Sequence, residues 1–177
     1  MKGRKLVNKV VVQHSDKKER KTRSDKKRDI KPTISIEVKD HIYRLSYIMT
    51  IPVKDVCVMM IEHAIQDETI INRISKNFQR GIWFNETLFH GSSYNPPVTK
   101  FEYGQTDRIH FRTKKELHDK ISALSYSLDC SLSRVCAILL YESLIDRNFI
   151  NNCVADCALD ASRTRELRFL YSQLVFR

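Results

Sequence analysis

The sequence predicts a mainly α-helical protein with a short antiparallel β-ribbon, built from two tandem copies of one small unit and finished by an extra C-terminal helix. Three observations predict it: an internal duplication, a change of apolar spacing from two residues to three and four within each copy, and a concentration of basic charge ahead of the first copy.

Residues 30–72 and 109–151 align without a gap at an offset of 79, and 12 of the 43 aligned pairs are identical. Among them are Ile30/Ile109, Ile42/Ile121, Leu45/Leu124, Ser46/Ser125, Tyr47/Tyr126, Cys57/Cys136 and Asp67/Asp146. Average residue usage gives only about two or three identities in a random register. A unit of this size buries too little surface to be stable alone, so each copy needs a partner, and the other copy is the nearest one. Pairing within one chain as a pseudo-dimer and pairing between chains as a homodimer or higher oligomer both satisfy this requirement.

The first segment, 1–28, is read as a disordered basic arm. From Met1 to Pro32 there are 13 Lys or Arg against 4 Asp or Glu, which is +9 of the formal +10 of the whole chain. The run Lys17, Lys18, Arg20, Lys21, Arg23, Lys26, Lys27 and Arg28 holds almost no apolar residue and cannot offset the entropy of ordering. Its chemistry suits the phosphates of a polyanion. The apolar patch Leu6, Val7, Val10, Val11 and Val12 is too short and too interrupted for a signal peptide or a membrane span, so an intracellular, cytoplasmic protein with no membrane partner is expected.

The repeated unit is clearest in its second copy, 107–153. Arg108, Ile109, His110, Phe111 and Arg112 alternate polar and apolar as a half-buried strand does. Leu117, Ile121, Leu124 and Leu128 then recur at helical spacing, and Ser131 is a natural N-cap for a second helix carrying Leu132, Val135, Cys136, Leu139, Leu140 and Leu144. In the first copy, 29–74, the same register makes Val38, Ile42, Leu45 and Met49 the helix stripe and Asp29 to Ile34 the strand. A competing strand over Thr33 to Val38 would shorten that helix, and the repeat register is preferred because four apolar positions match at once. Lys31 and Thr33 then face outward, Pro32 stands where Phe111 does, and Pro52 replaces the Ser131 cap.

Between the copies, 75–106 is a connecting segment with an aromatic cluster, Trp83, Phe84, Phe89 and Phe101, expected to pack on the core rather than to form a partner surface at 83–89. Asp67 to Phe78 is expected to continue as a helix. The last segment, 154–177, is expected to form a C-terminal helix through Leu167, Leu170, Leu174 and Val175.

The order strand, helix, short turn, helix over Asp107 to about Ile145 resembles the ribbon-helix-helix family of DNA-binding proteins, the Arc, MetJ and CopG group. The resemblance implies two strands paired into a ribbon that enters the major groove of double-stranded DNA, with four helices behind it. It also implies base readers at Arg108, His110 and Arg112, joined by Lys31 and Thr33 from the first copy. The phosphate clamp would be Ser131, the amide of Leu132, and Ser133, with Lys17, Lys18, Arg20, Lys21, Lys26, Lys27 and Arg28 adding sequence-independent phosphate contacts. Arginine donors suit guanine O6 and N7, and helix N-termini suit phosphate. The implied role is a prokaryotic, plasmid or phage transcriptional regulator. Alternatives are plasmid partition, copy control or relaxosome assembly, or a protein-interaction scaffold without specific readout.

Catalysis is not expected. The histidines at 14, 41, 63, 90, 110 and 118 form no paired-ligand spacing, and four glycines make no phosphate loop. No cofactor and no metal is expected either: the five cysteines read as free thiols, with Cys57 and Cys136 in the core and Cys153 and Cys157 lacking a second ligand pair.

Overall fold

The structure is a computed structural model that describes residues 27–98 and 104–175, with side chains described up to 173. Lys17, Lys18, Arg20, Lys21, Lys26 and Phe101 therefore lie outside the described residues. Among those described are seven helices and six three-residue strands. In chain order they are β1 (Arg28–Ile30), β2 (Thr33–Ser35), α1 (Ile36–Met49), α2 (Val53–Gln66), α3 (Glu68–Ser75), β3 (Ile82–Phe84), β4 (Thr87–Phe89), β5 (Thr106–Arg108), β6 (Phe111–Thr113), α4 (Lys115–Leu128), α5 (Leu132–Leu144), α6 (Arg147–Asp156) and α7 (Ala161–Val175).

The duplication is written into these bounds. Helices α1 and α4, α2 and α5, and α3 and α6 each start 79 residues apart. In α1 the stripe Val38, Ile42, Leu45 and Met49 is buried, as is Leu117, Ile121, Leu124 and Leu128 in α4, because residues three and four apart share one helix face. Both helices end on a left-handed residue, Thr50 (φ 54°) and Asp129 (φ 51°), whose amides turn back to the helix carbonyls. The identical serines secure this turn: Ser46 Oγ donates to the Ile51 carbonyl and Ser125 Oγ to the Cys130 carbonyl, each at 2.5 Å. The identical aspartates do likewise one helix later. Asp67 Oδ1 accepts from the Thr69 and Ile70 amides at 2.8 and 3.1 Å to cap α3, and Asp146 Oδ2 accepts from the Phe149 amide at 2.9 Å to cap α6.

The two copies meet through their strands and second helices. Strand β1 pairs antiparallel with β6, and β2 with β5, in one shared register that sets Asp29 opposite Arg112 and Thr33 opposite Arg108. Between the two pairs the Ile109 amide donates to the Pro32 carbonyl at 3.1 Å, so the four segments form one two-stranded ribbon. Its inner face, Ile30, Ile34, Ile109, Phe111 and Thr113, is buried. Behind it α2 packs on α5. Val56, Cys57, Met60, Val135, Cys136 and Leu139 are inaccessible there, and Ser143 Oγ satisfies itself on the Met60 carbonyl at 2.6 Å. Burial pushes the Cys57 and Cys136 thiols up to about 12, so they behave as small apolar groups.

The segment after each third helix reaches across to the other copy. The Gln79 and Arg80 amides donate to the Ser127 carbonyl at 2.7 and 3.2 Å, while Arg163 Nη1 on α7 approaches the Ile48 carbonyl at 3.4 Å. Ile48 and Ser127 are equivalent positions of the duplication. Each tail thus braces the first helix of the opposite copy at the same place. Leu167 and Leu170 of α7 are buried, and Tyr171 Oη donates to the Ile145 carbonyl at 3.2 Å.

Several boundaries differ from the sequence expectation. Arg28 opens β1, pairing with Thr113, rather than ending an arm. The expected helix over Asp67 to Phe78 is α3, which stops at Ser75 because buried Phe78 is carried in by a turn, its amide donating to the Ser75 carbonyl. The expected division at 153/154 falls inside α6, the counterpart of α3. The connecting segment, finally, holds a hairpin, β3 with β4, turning through Asn85 (φ 45°) and Glu86 (φ 62°). Its aromatic cluster divides: Phe84 is buried and Phe89 half-buried, while Trp83 and Leu88, paired across the hairpin, are exposed.

Candidate nucleic-acid interface

A two-stranded ribbon has two faces because successive side chains alternate. With the apolar set turned inward, the outward set is Asp29, Lys31 and Thr33 on one strand and Arg108, His110 and Arg112 on the other, all exposed. The structure therefore brings Lys31, Thr33, Arg108, His110 and Arg112 together on a single surface. Lys27 and Arg28 are exposed at one end of it, as are Lys114 and Lys115 just past β6. Pro32 is buried within the ribbon and leaves its rung with one bond in place of two: the Ile109 amide donates to the Pro32 carbonyl, and Pro32 has no N–H to return to Ile109.

Asp29 is the residue on this face that the sequence reading left out of the binding set. Its Oδ1 accepts from Arg112 Nε at 2.6 Å, and His110 Nε2 lies 3.3 Å from the same oxygen. The Arg112 guanidinium beside Asp29 holds its carboxyl below the usual carboxylate range. The signal was available in the alternation, since Asp29 shares the phase of Lys31 and Thr33. At the other end of the ribbon Lys39, on α1, reaches Asp107 at 2.5 Å; this hydrogen bond, with one from the Arg108 amide, lowers the Asp107 carboxyl. This tie joins the end of β5 to the first helix of the other copy, and no spacing within one copy could have foretold it.

The second-helix termini flank the ribbon, α5 packing against β2 and α2 against β6. Ser131 caps α5, its Oγ accepting from the Arg134 amide at 3.3 Å, which leaves the Leu132 and Ser133 amides outside the helical ladder. Ser131 is exposed and Leu132 and Ser133 half-exposed. A cleft of about 450 Å³ separates this terminus from the ribbon end and is lined by Thr33, Ser35, Val38, Thr106, Arg134 and Tyr141 among others. In the first copy Pro52 begins α2 without a side-chain cap, and Lys54 is exposed in its first turn.

One group of metal-type donors occurs among the described residues, away from the ribbon. His63, Asp67 and Asp146 bring one ligand atom each within 4.8 Å of one another. His63 Nε2 is 2.8 Å from Asp146 Oδ2, and both carboxylates cap helices, so bracing of the two copies accounts for the group. No described helix is long and apolar enough by itself to cross a membrane. Compared with known proteins, the chain matches no family model, no curated protein and no solved structure.

Proposed function

We propose that the chain is a sequence-specific double-stranded-DNA-binding protein, a tandem ribbon-helix-helix protein whose two copies act as a pseudo-dimer and insert their shared ribbon into the major groove. The observation that carries this reading is the outward ribbon face, where Lys31, Thr33, Arg108, His110 and Arg112 stand side by side over a buried apolar layer. A major groove about 12 Å wide admits a two-stranded ribbon, and these side chains offer the donors that guanine and adenine edges accept. Unlike half-sites follow, because both arginines come from the second copy. On the flanks, the Leu132 and Ser133 amides at the α5 terminus, with Ser131, suit a backbone phosphate. The cellular role that fits is a transcriptional regulator; partition, copy control and relaxosome assembly use the same binding chemistry.

The test is selection of bound duplex from a random pool at near-physiological salt, with the native chain and with Arg108, His110 and Arg112 all changed to Ala. A motif selected by the native chain and lost in the variant is the expected result. Salt-sensitive binding without a motif in either would sink the reading. It would leave the second one, a scaffold for a protein partner, which rests on the exposed Trp83 and Leu88 of the β3–β4 hairpin.

A further inference from the structure

The two outward arginines are not equivalent, and the difference lies in what stands opposite each. Continuing the strand register sets Lys31 opposite His110, and these two residues are also 79 apart, so they are equivalent in the duplication. The approximate two-fold axis relating the copies therefore passes between them. On one side of it lies the pair Asp29 and Arg112, on the other Thr33 and Arg108. A symmetric ribbon would repeat one pair; this one carries a carboxylate on one flank alone.

That carboxylate is placed to restrict what Arg112 reads. With Nε held by Asp29 Oδ1 at 2.6 Å, the guanidinium keeps its two terminal amino groups for a pair of acceptors. The carboxylate itself only accepts, so a major-groove edge presenting acceptors repels it and one presenting an amino group satisfies it. Asp107, the other acid on the ribbon, is held by Lys39, and so does not play this part.

Resting on the DNA-reading function proposed above, we infer that Asp29 and Arg112 form a composite reader selecting G·C in one half-site. Arg112 takes guanine O6 and N7, and Asp29 accepts from the N4 amino group of cytosine on the same or the neighbouring pair. Arg108 and Thr33 read the other half-site without this acidic check. Asp29 also weakens binding to DNA at large, because its charge opposes the phosphates. Discrimination is gained at the expense of affinity, as specificity by exclusion requires.

The experiment is pool selection and titration with the full chain, its Asp29→Asn and Asp29→Ala variants, and Arg108→Ala to mark the opposite half-site. Thermal melts of each verify folding. The native chain is expected to select unlike halves. Asp29→Asn should lower discrimination for G·C in the half not affected by Arg108→Ala by about 5- to 100-fold, admit adenine there, and bind random duplex more tightly than the native chain. An unchanged native motif in both Asp29 variants would overturn the inference and leave the DNA-reading function standing. Uniformly weaker binding to all sequences would also overturn it, making Asp29 a mere support for the ribbon. Absence of any motif with the native chain would bring down the DNA-reading function and this inference with it.

Discussion

The identical pairs of the duplication sort into separate kinds of work, and the sorting is visible residue by residue. Ile30/Ile109, Ile42/Ile121, Leu45/Leu124, Val56/Val135, Cys57/Cys136 and Ile71/Ile150 are buried. Ser46/Ser125 and Asp67/Asp146 satisfy backbone groups at helix ends. Tyr47 and Tyr126 are exposed, and only Tyr126 lies under a cation, with Arg80 4.8 Å from its ring centre. Asp67 makes a clear prediction. Burial pushes its carboxyl up, and the Ile70 and Thr69 amides more than reverse this, so its folded value lies below the unfolded one. Its contribution is present above the unfolded value and is lost as pH falls through the folded one. Asp67→Ala is therefore expected to cost about 1 kcal/mol at pH 7. The gap between variant and native chain should close below about pH 4. Denaturant melts at pH 7 and in acid measure both.

Among the elements, α1, α2, α4, α5 and α7 were legible in the sequence because each carries an apolar stripe at helical spacing, and the duplication let the weaker copy borrow the pattern of the stronger; α6, ten residues long with three buried side chains, was not read. The ribbon alternation was legible from its period of two, which sets Lys31, Thr33, Arg108, His110 and Arg112 on one outward face; a reading role for them comes only from the resemblance. The β3–β4 hairpin was not legible. Its turn is Asn85-Glu86, both at positive φ, where an Asn-Gly signal would have announced it, and a hydrogen bond from Asn85 Nδ2 to the Ile65 carbonyl at 2.6 Å supplies what the turn lacks. A tertiary contact thus overrode a poor local choice. Glu86 at φ 62° is strained, since its Cβ crowds the backbone there. Glu86→Gly is expected to raise stability by about 0.5–1 kcal/mol, read from the unfolding midpoint; loss of stability would show that the Glu86 side chain does more than tolerate the turn. Asp107 went unread for another reason, because its partner Lys39 stands on a helix distant in sequence; Asp29 was within reach of the alternation, and only its pairing with Arg112 was not.

In the whole molecule, the strands that pair across the ribbon belong to one chain. The ribbon pairs residues near 28–35 with residues near 106–113, and the tails at Arg80 and Arg163 cross in opposite directions between copies. Unfolding of this arrangement is unimolecular, so the thermal midpoint should not move with protein concentration, whereas ribbons exchanged between chains would make it rise. Melting over a hundredfold range of concentration checks this. The covalent link has a consequence for how such a surface can change over time. Under the DNA-reading function proposed above, one codon of a homodimer would alter both halves of the outward face together. Here Asp29 and Arg108, or Arg112 and Thr33, occupy twin positions yet are encoded apart. Each mutation is felt once, so under the proposed function either half of the face could drift toward a new target while the other keeps the old one.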